Sequence, residues 1–122
     1  MSGFNDTGKI TLAAEGTIGK YELVKLGTAA RSCVQAGDSD VVVGVAMESV
    51  VSGDSVPVHL LNKQGTLFIK VSVAISVGGI VYSGASGKGD ATAGSGRPLG
   101  LALEASAADG DIIEVAPALN IA

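Results

Sequence analysis

Large aromatic side chains are scarce in this chain of 122 residues, which has no tryptophan, two phenylalanines and two tyrosines. Aromatic rings line most small-molecule pockets and anchor most protein interfaces. Their scarcity argues against an enzyme pocket. It also argues against glycan binding, which commonly stacks sugars on rings, because Tyr21 and Tyr82 are the only hydroxylated aromatic candidates.

Cysteine, histidine and clustered positive charge are also scarce. Cys33 is the only cysteine and His59 the only histidine, which excludes an intrachain disulfide and leaves too few ligands of these types for a typical zinc site. A Cys–His nucleophilic pair needs a third, orienting group. We therefore interpret Cys33, in a polar segment, and His59, on the outward face of a predicted strand, as incidental. The net charge of −4 without a Lys/Arg cluster predicts no nucleic-acid partner.

Long apolar runs are absent. Every run is far shorter than the roughly 18 residues of a membrane span, so the sequence predicts no membrane segment. Residues 1–6 show neither the basic region nor the apolar stretch of a signal peptide. We therefore expect a protein made in the cytoplasm.

What the chain does contain is 18 glycines spread between apolar runs, and one pattern that occurs twice, in residues 10–61 and 69–117. The sharpest match is between Val43–Glu48 and Leu99–Glu104. Each stretch is followed by a Gly-Asp pair and an alternating run. The two copies align at offsets of 59, 57, 56 and 57 residues from start to end. A repeat of this length indicates two equivalent structural units.

Alternation of apolar and polar residues indicates β-strands, and it is clearest over residues 67–77. We count about four strands in each copy, about eight in all, and helical periodicity is absent outside a possible single turn at 105–108. The sequence therefore predicts an all-β fold, a single small β-barrel or sandwich-like domain over residues 10–122. Residues 1–9, polar and outside the repeat, are predicted to be a flexible arm.

Three further patterns have structural interpretations. Glu48 and Glu104 are related by the repeat, whereas paired catalytic carboxylates need different environments to separate their pKa values. The glycine-rich residues 84–100 lack the spacing of a phosphate-binding loop. Ala46-Met47-Glu48 invites comparison with biotinyl carrier hairpins, but Glu48 stands where the modified lysine would be. We therefore expect no cofactor, no metal and no catalytic residues.

The stretch at residues 97–115, RPLGLALEASAADGDIIEV, resembles the end of a family of small tailed-phage capsid decoration (cement) proteins. That family typically has a similar P-I-G-V-A-L-E-A stretch, a small-residue turn, a Gly-Asp pair and a closing strand. Residues 19–27, 41–61 and 77–84 add to the resemblance, which covers most of the chain after residue 9. It implies a β-barrel-like protein that binds the outside of an assembled head, often as a trimer at or near threefold positions.

From this resemblance we expect a structural virion protein that binds the major capsid protein on the outer surface of a phage head and stabilises the shell. The family has no catalytic residues to carry over, and a homotrimer made in the host cytoplasm is the favoured form. The alternative is a non-enzymatic ligand- or glycan-binding β module on a virion or cell surface. An enzyme of unknown type ranks last.

The arm and the first residues of the repeat are the candidate attachment segment. A polar arm can become ordered on binding and add a strand to an exposed edge of a capsid sheet. The alternative is a terminal tail without a role. The predicted attachment residues are Ser2, Gly3, Phe4, Asn5, Asp6, Thr7, Gly8, Lys9, Ile10 and Thr11.

Overall fold

The computed structural model describes residues 9–38, 40–61, 65–91 and 98–117. These residues form ten β-strands and a short 3-10 turn at Ala85–Gly87, so the predicted all-β class is confirmed. No described helix is long and apolar enough to cross a membrane. The strands are β1 (Lys9–Ala14), β2 (Leu23–Leu26), β3 (Ser32–Gln35), β4 (Gly44–Ala46), β5 (Ser55–Leu60), β6 (Leu67–Lys70), β7 (Ile80–Ser83), β8 (Gly89–Asp90), β9 (Pro98–Ala102) and β10 (Ile112–Pro117).

The strands fall into two groups with the same order. The first group is a closed barrel, β1-β3-β2-β4-β5, in which β1 pairs with β5 and, in parallel, with β3. The second is a five-stranded sheet, β6-β10-β9-β7-β8. The strand order is the same in both groups when β6 is equated with β1 and β8 with β3. The second group is not closed, because β6 does not pair with β8 as β1 does with β3. Among the described residues, the strand pairing at this seam is limited to the isolated parallel bridge between Val71 and Gly89.

Backbone hydrogen bonds establish the repeat position by position. Ala14 N donates to Asp54 O, and Val71 N donates to Asp111 O, each at 2.8 Å. Both partners are therefore related by an offset of 57 residues. The expected offset of 59 at the first strand is wrong, because Ile10 corresponds to Leu67 and the second copy begins there. Alternation has a period of two residues, so a shift by two leaves every side chain on its predicted face.

Each half has five strands, so the expected count of about four is too low. The shortest strands are β4, with three residues, and β8, with two. Strands of this length are too short to display an alternating pattern. They are defined by their pairing with β5 and β7, which is not a local property of the sequence.

The strand predicted over residues 67–77 is shorter than expected, because β6 ends at Lys70. Val73 and Val77 are 36% and 67% exposed instead of lying in the core. After β6, the side chain of Ser106 forms hydrogen bonds with the backbone in place of a neighbouring strand. Ser106 Oγ accepts a hydrogen bond from Ile75 N and donates one to Val73 O, each at 2.8 Å. The chain therefore leaves the sheet although its alternating pattern continues.

The buried apolar side chains form two clusters. One fills the closed barrel and contains Leu12, Ala14, Ile18, Val24, Cys33, Ala46, Val56 and Val58. The other joins both halves, since Leu23, Ala36, Val42 and Val45 pack with the buried side chains of the second sheet. Val24 points into the barrel and its neighbour Leu23 points out of it, as β-strand alternation requires. The outer surface of the first barrel thus covers the interior of the second half.

A buried carboxylate also links the halves. Glu22, 8% exposed, accepts hydrogen bonds from Gly19 N at 2.8 Å and Gln35 Nε2 at 2.7 Å, and its Oε2 lies 3.4 Å from Lys70 Nζ of the second half. Burial raises the pKa of Glu22, but these hydrogen bonds and the Lys70 charge outweigh it and leave the pKa below its ordinary value. Lys70 N donates to Tyr21 O across the same contact.

Candidate functional site

One end of the first barrel is where residues 1–8 join the fold. The register places Lys9 opposite His59, Gly44 opposite Leu60, and Val24 opposite Gly44. The starts of β1 and β4 and the ends of β2 and β5 therefore meet at this end, which we call the arm end. Of the predicted attachment residues, Lys9, Ile10 and Thr11 lie in β1, so Lys9 belongs to the barrel and not to the arm. Ser2, Gly3, Phe4, Asn5, Asp6, Thr7 and Gly8 lie outside the described residues.

The arm end carries an open apolar groove of about 360 Å³, lined by Lys25, Leu26, Val41, Val42 and Val43. Leu26 is 64% exposed and Val41 66%. Lys25 Nζ lies 3.0 Å from Asp40 Oδ2, so the charge at the groove is paired. By strand alternation Leu26 lies on the same side as Val24, which fills the barrel. The groove is therefore an extension of the barrel interior that no described residue covers.

Our sequence reasoning missed this groove. The one available signal was Leu26, whose alternation with Val24 marks an interior position. Its position at the end of the barrel, which exposes it, depends on how the strands close.

A second apolar surface lies on the outer face of the second sheet. Its exposed side chains come from β6 and β10 and from residues in and directly after β9. In the first half the corresponding positions hold Thr11, Val45, Met47 and Ser55, and of these Val45 is buried against the second half. We call this second-half surface the outer face; it consists of Phe68, Leu101, Leu103 and Ile112, 46%, 39%, 47% and 44% exposed. Among the described residues, the ring of Tyr21 packs against Phe68, with the two ring centroids 5.6 Å apart, and the four side chains stay partly exposed.

The structure does not form a reactive site from Cys33 and His59. Cys33 lies in β3, in agreement with the weak strand expected around residues 31–34 of the polar segment, and its side chain is buried in the barrel. Burial, and then the charge of Glu15, raises the pKa of its thiol. His59 lies on the outer surface of β5, as predicted, opposite Lys9 and Val45. In the described part of the chain, no group of three or more His, Cys, Asp or Glu side chains is placed to hold a metal ion.

The repeat-related carboxylates have structural surroundings. Glu48 and Glu104 are both exposed and follow β4 and β9. Glu104 Oε2 accepts a hydrogen bond from Glu114 N at 2.9 Å. This contact ties the end of β9 to β10 and matches the strand-end interpretation of Glu104.

The most strongly perturbed carboxyl group is Glu15, which the sequence did not single out. Its oxygens accept hydrogen bonds from Ser32 Oγ at 2.6 Å, Thr28 N at 3.0 Å and Ala29 N at 2.9 Å. The Ser32 hydroxyl, followed by the two amides, lowers the pKa of Glu15 to about 2. The equivalent residue is Ser72, which donates to Gly89 O at 3.2 Å. The carboxylate therefore orders a loop in the first half alone.

Comparison with known proteins identifies what kind of protein has this fold. The model of the phage cement protein family matches residues 3–117. The chain belongs to the phage cement protein family. This cement protein is thus a structural protein of the phage head.

A solved structure shares the fold. The head fiber gp8.5 N base in bacteriophage phi29 superposes on the cement protein with a TM-score of 0.75, at 19% sequence identity, over 90% of this chain and 92% of that chain. At this identity the match shows the architecture alone. A comparison with curated protein sequences found no match.

Proposed function

We propose that this cement protein binds the outer surface of the assembled phage head through the major capsid protein and stabilises the shell without catalysing a reaction. The family match over residues 3–117 carries the proposal. A head protein of this kind is made in the host cytoplasm and joins the virion on its outer surface. Such a protein acts by contacting the shell, so the parts of the molecule that carry the function are its exposed surfaces and the arm.

Attachment is assigned to residues 2–11 and the adjoining arm end. Three of these residues belong to β1, which begins at Lys9. A strand that the arm adds to a capsid sheet would therefore be continuous with β1 of the barrel. An extended segment can add a strand to a capsid sheet edge, which contributes backbone hydrogen bonds to affinity. The groove next to it offers the apolar side chains of Leu26 and Val41.

Association into a trimer is assigned to the outer face of the second sheet. Phe68, Leu101, Leu103 and Ile112 expose apolar surface there, beside Glu114 opposite Phe68 and Lys70 opposite Ile112. Apolar surface rimmed by polar residues commonly marks an interaction site. Closed rings of three copies need one surface that meets a different surface of the next copy. Three linked arms would also bind a head more tightly than one, because each bound arm raises the effective concentration of the others.

The groove favours one alternative, a ligand-binding module. Its volume of about 360 Å³ lies within the roughly 300–1,000 Å³ of small-molecule pockets. Its lining is four aliphatic side chains and the paired Lys25, without an aromatic ring. Such a lining suits a small apolar ligand better than a sugar.

The proposal is tested with undecorated heads of the matching phage. We expect the wild-type protein to sediment with the heads and to raise the temperature at which they break open. Deletion of residues 2–8, which leaves β1 intact, should lower head affinity. Val51→Lys is the matched control, because Val51 is 57% exposed and lies before β5 at the opposite end of the barrel. Wild-type protein that neither sediments with heads nor protects them contradicts the function.

The trimer is tested separately by light scattering, with and without heads. Leu101→Lys and Leu103→Lys should reduce self-association and leave the fold intact, because both side chains are exposed. A wild-type protein that stays monomeric in solution and on the shell contradicts the trimer but not head binding.

A further inference from the structure

The two halves differ at the barrel end where the groove lies. In the second half the position equivalent to Leu26 is Ser83, which is 1% exposed and donates a hydrogen bond to Asp38 O at 3.3 Å. Leu67 and Leu99, each 2% exposed, correspond to Ile10 and Val43, which are half-buried. The described residues therefore cover this end of the second half and leave the same end of the first half open.

Part of the cover in the second half is the segment that leads into β6. Leu61, half-buried, packs against the second core cluster. With the offset of 57 residues shown by the backbone hydrogen bonds, the residue equivalent to Leu61 is Phe4. The sequence FNDTGK at 4–9 then aligns with LNKQGT at 61–66 and shares asparagine and glycine with it. The repeat thus extends into the segment that the offset of 59 left outside.

A turn residue supports this alignment. Gly65 has a φ of +89°, a backbone conformation that favours glycine. The equivalent position in the first copy is Gly8, also a glycine. The family match, which begins at residue 3, includes this whole segment.

The segment is long enough to reach the groove of its own barrel. Phe4 precedes Lys9 by five residues, and five extended residues span roughly 17 Å. β1 is separated from β4 by one strand, β5, and two steps between neighbouring strands cover roughly 10 Å. Phe4 also carries the one large apolar ring in residues 1–8.

We propose that residues 4–8 dock on the arm end of their own chain, with the ring of Phe4 in the groove between Leu26 and Val41 and above Ile10 and Val43. The arm then packs on the first barrel through Phe4, as the chain before β6 packs on the second core through Leu61. Phe4 anchors it at the arm end. If the arm also attaches to the head, as the proposed function states, this docking lowers the conformational entropy lost on binding.

Tryptophan fluorescence tests the docking, because the chain contains no tryptophan. We expect Phe4→Trp to emit at shorter wavelength than the control Ser2→Trp. Adding Leu26→Lys should shift the Phe4→Trp emission back to longer wavelength, whereas adding Val51→Lys should not. Leu26 and Val51 are both exposed, 64% and 57%, so neither change should unfold the barrel. Equal emission from the two tryptophan positions, insensitive to Leu26→Lys, overturns the proposal.

A second measurement covers the case in which tryptophan does not fit the groove. Phe4→Ala should lower the melting temperature of the wild-type background but leave that of the Leu26→Lys background nearly unchanged, because the contact is already lost there. Equal shifts in both backgrounds contradict the docking.

Other occupants of the groove give different results. A blue shift that grows with protein concentration would place Phe4 in the groove of a second copy, and one that appears only after heads are added would place it against the capsid. Either result overturns docking within the same chain. Co-sedimentation of the same variants reports the proposed function independently, since head binding can fail while the blue shift persists, and the reverse.

Discussion

The first half of the chain closes into a barrel by itself, whereas the second half is closed by the first. Ala13 and Ala14 pair with Ser32 and Cys33 to join β1 to β3, whereas the described residues of the equivalent second-half strands share a single isolated bridge. The outer surface of the first barrel fills the gap, with Leu23 and other side chains packed into the second core. Of the two copies of one pattern, the first therefore closes its own barrel, and the second depends on the first to cover its core.

The charged contact between the halves has no counterpart elsewhere in the repeat. Glu22 and Lys70 meet at 3.4 Å, and their equivalents at the offset of 57 are Gly79 and Ala13. If the second half covered the first instead, Gly79 and Ala13 would occupy these positions, and the contact would lack the ion pair and its hydrogen bonds. A charged contact of this kind can select one arrangement over another, and this one, between buried Glu22 and partly exposed Lys70, forms with the first half as the cover.

The largest effect is expected at the covering surface. Leu23→Ala should lower the free energy of unfolding by about 3 kcal/mol, since it removes a fully buried side chain. The equivalent Ile80→Ala should cost about 1 kcal/mol, because Ile80 is only half-buried. Urea denaturation measures both, and a single transition would support our proposal that residues 10–122 form one domain. Equal losses would contradict the asymmetry of the halves.

The second effect is expected at the charged contact. Glu22→Ala leaves Gln35 and Lys70 without their acceptor, and we expect it to cost about 2 kcal/mol. Lys70→Met removes only one partner and should cost less. A double-mutant cycle by urea denaturation measures the coupling between the two residues. A coupling energy of zero would show that the contact does not hold the halves together.

A smaller effect, dependent on pH, is expected at the loop between β2 and β3, which a carboxylate orders only in the first half. The folded-state pKa of Glu15 is about 2, below its ordinary 4.5, so ionised Glu15 favours the fold. This contribution is complete above the ordinary pKa and is lost as the pH falls from roughly 5 to 2. Glu15→Gln should therefore lower the melting temperature at neutral pH and reduce its decline in acid. A melting curve at each pH checks this, and parallel declines in the two proteins would count against it.

The smallest effect concerns reactivity rather than stability. Cys33 is 0% exposed inside the closed barrel, and burial raises the pKa of its thiol. A thiol reagent should therefore label the native protein far more slowly than the urea-unfolded protein. Val51→Cys, placed at an exposed site, is the positive control. Fast labelling of native Cys33 would mean that the barrel opens readily between β1 and β3.

The sequence predicted the all-β class, the duplicated halves and the family, because alternation, Gly-Asp turns and the ending at 97–115 are local patterns. It misplaced the first strand of the second copy by two residues, since Ile69 and Leu67 lie on the same face and alternation cannot distinguish them. It also extended β6 to Val77, because it had no means of locating Ser106 beside Ile75.

The candidate site was foreseen only in part. The repeat placed Ile10 and Thr11 at the start of the fold, and the structure has them in β1. Lys9 was expected in the arm and instead begins β1. The assignment of residues 2–8 to capsid attachment stays a prediction. The groove at Leu26 and Val41 and the outer face of the second sheet were not foreseen. Whether an apolar residue is exposed depends on which surfaces the rest of the chain covers. An alternating strand pattern carries no information about that.

By itself, the sequence determined that the chain is a duplicated β protein of the phage cement family. Those properties are periodic or motif-like and can be read along the chain. Only the tertiary structure decided that one half closes and the other is covered. Closure depends on whether distant strands such as β1 and β3 pair, and covering depends on where Leu23 and its neighbours lie after that pairing. Both are set by competition between burial and backbone hydrogen bonding across the whole molecule.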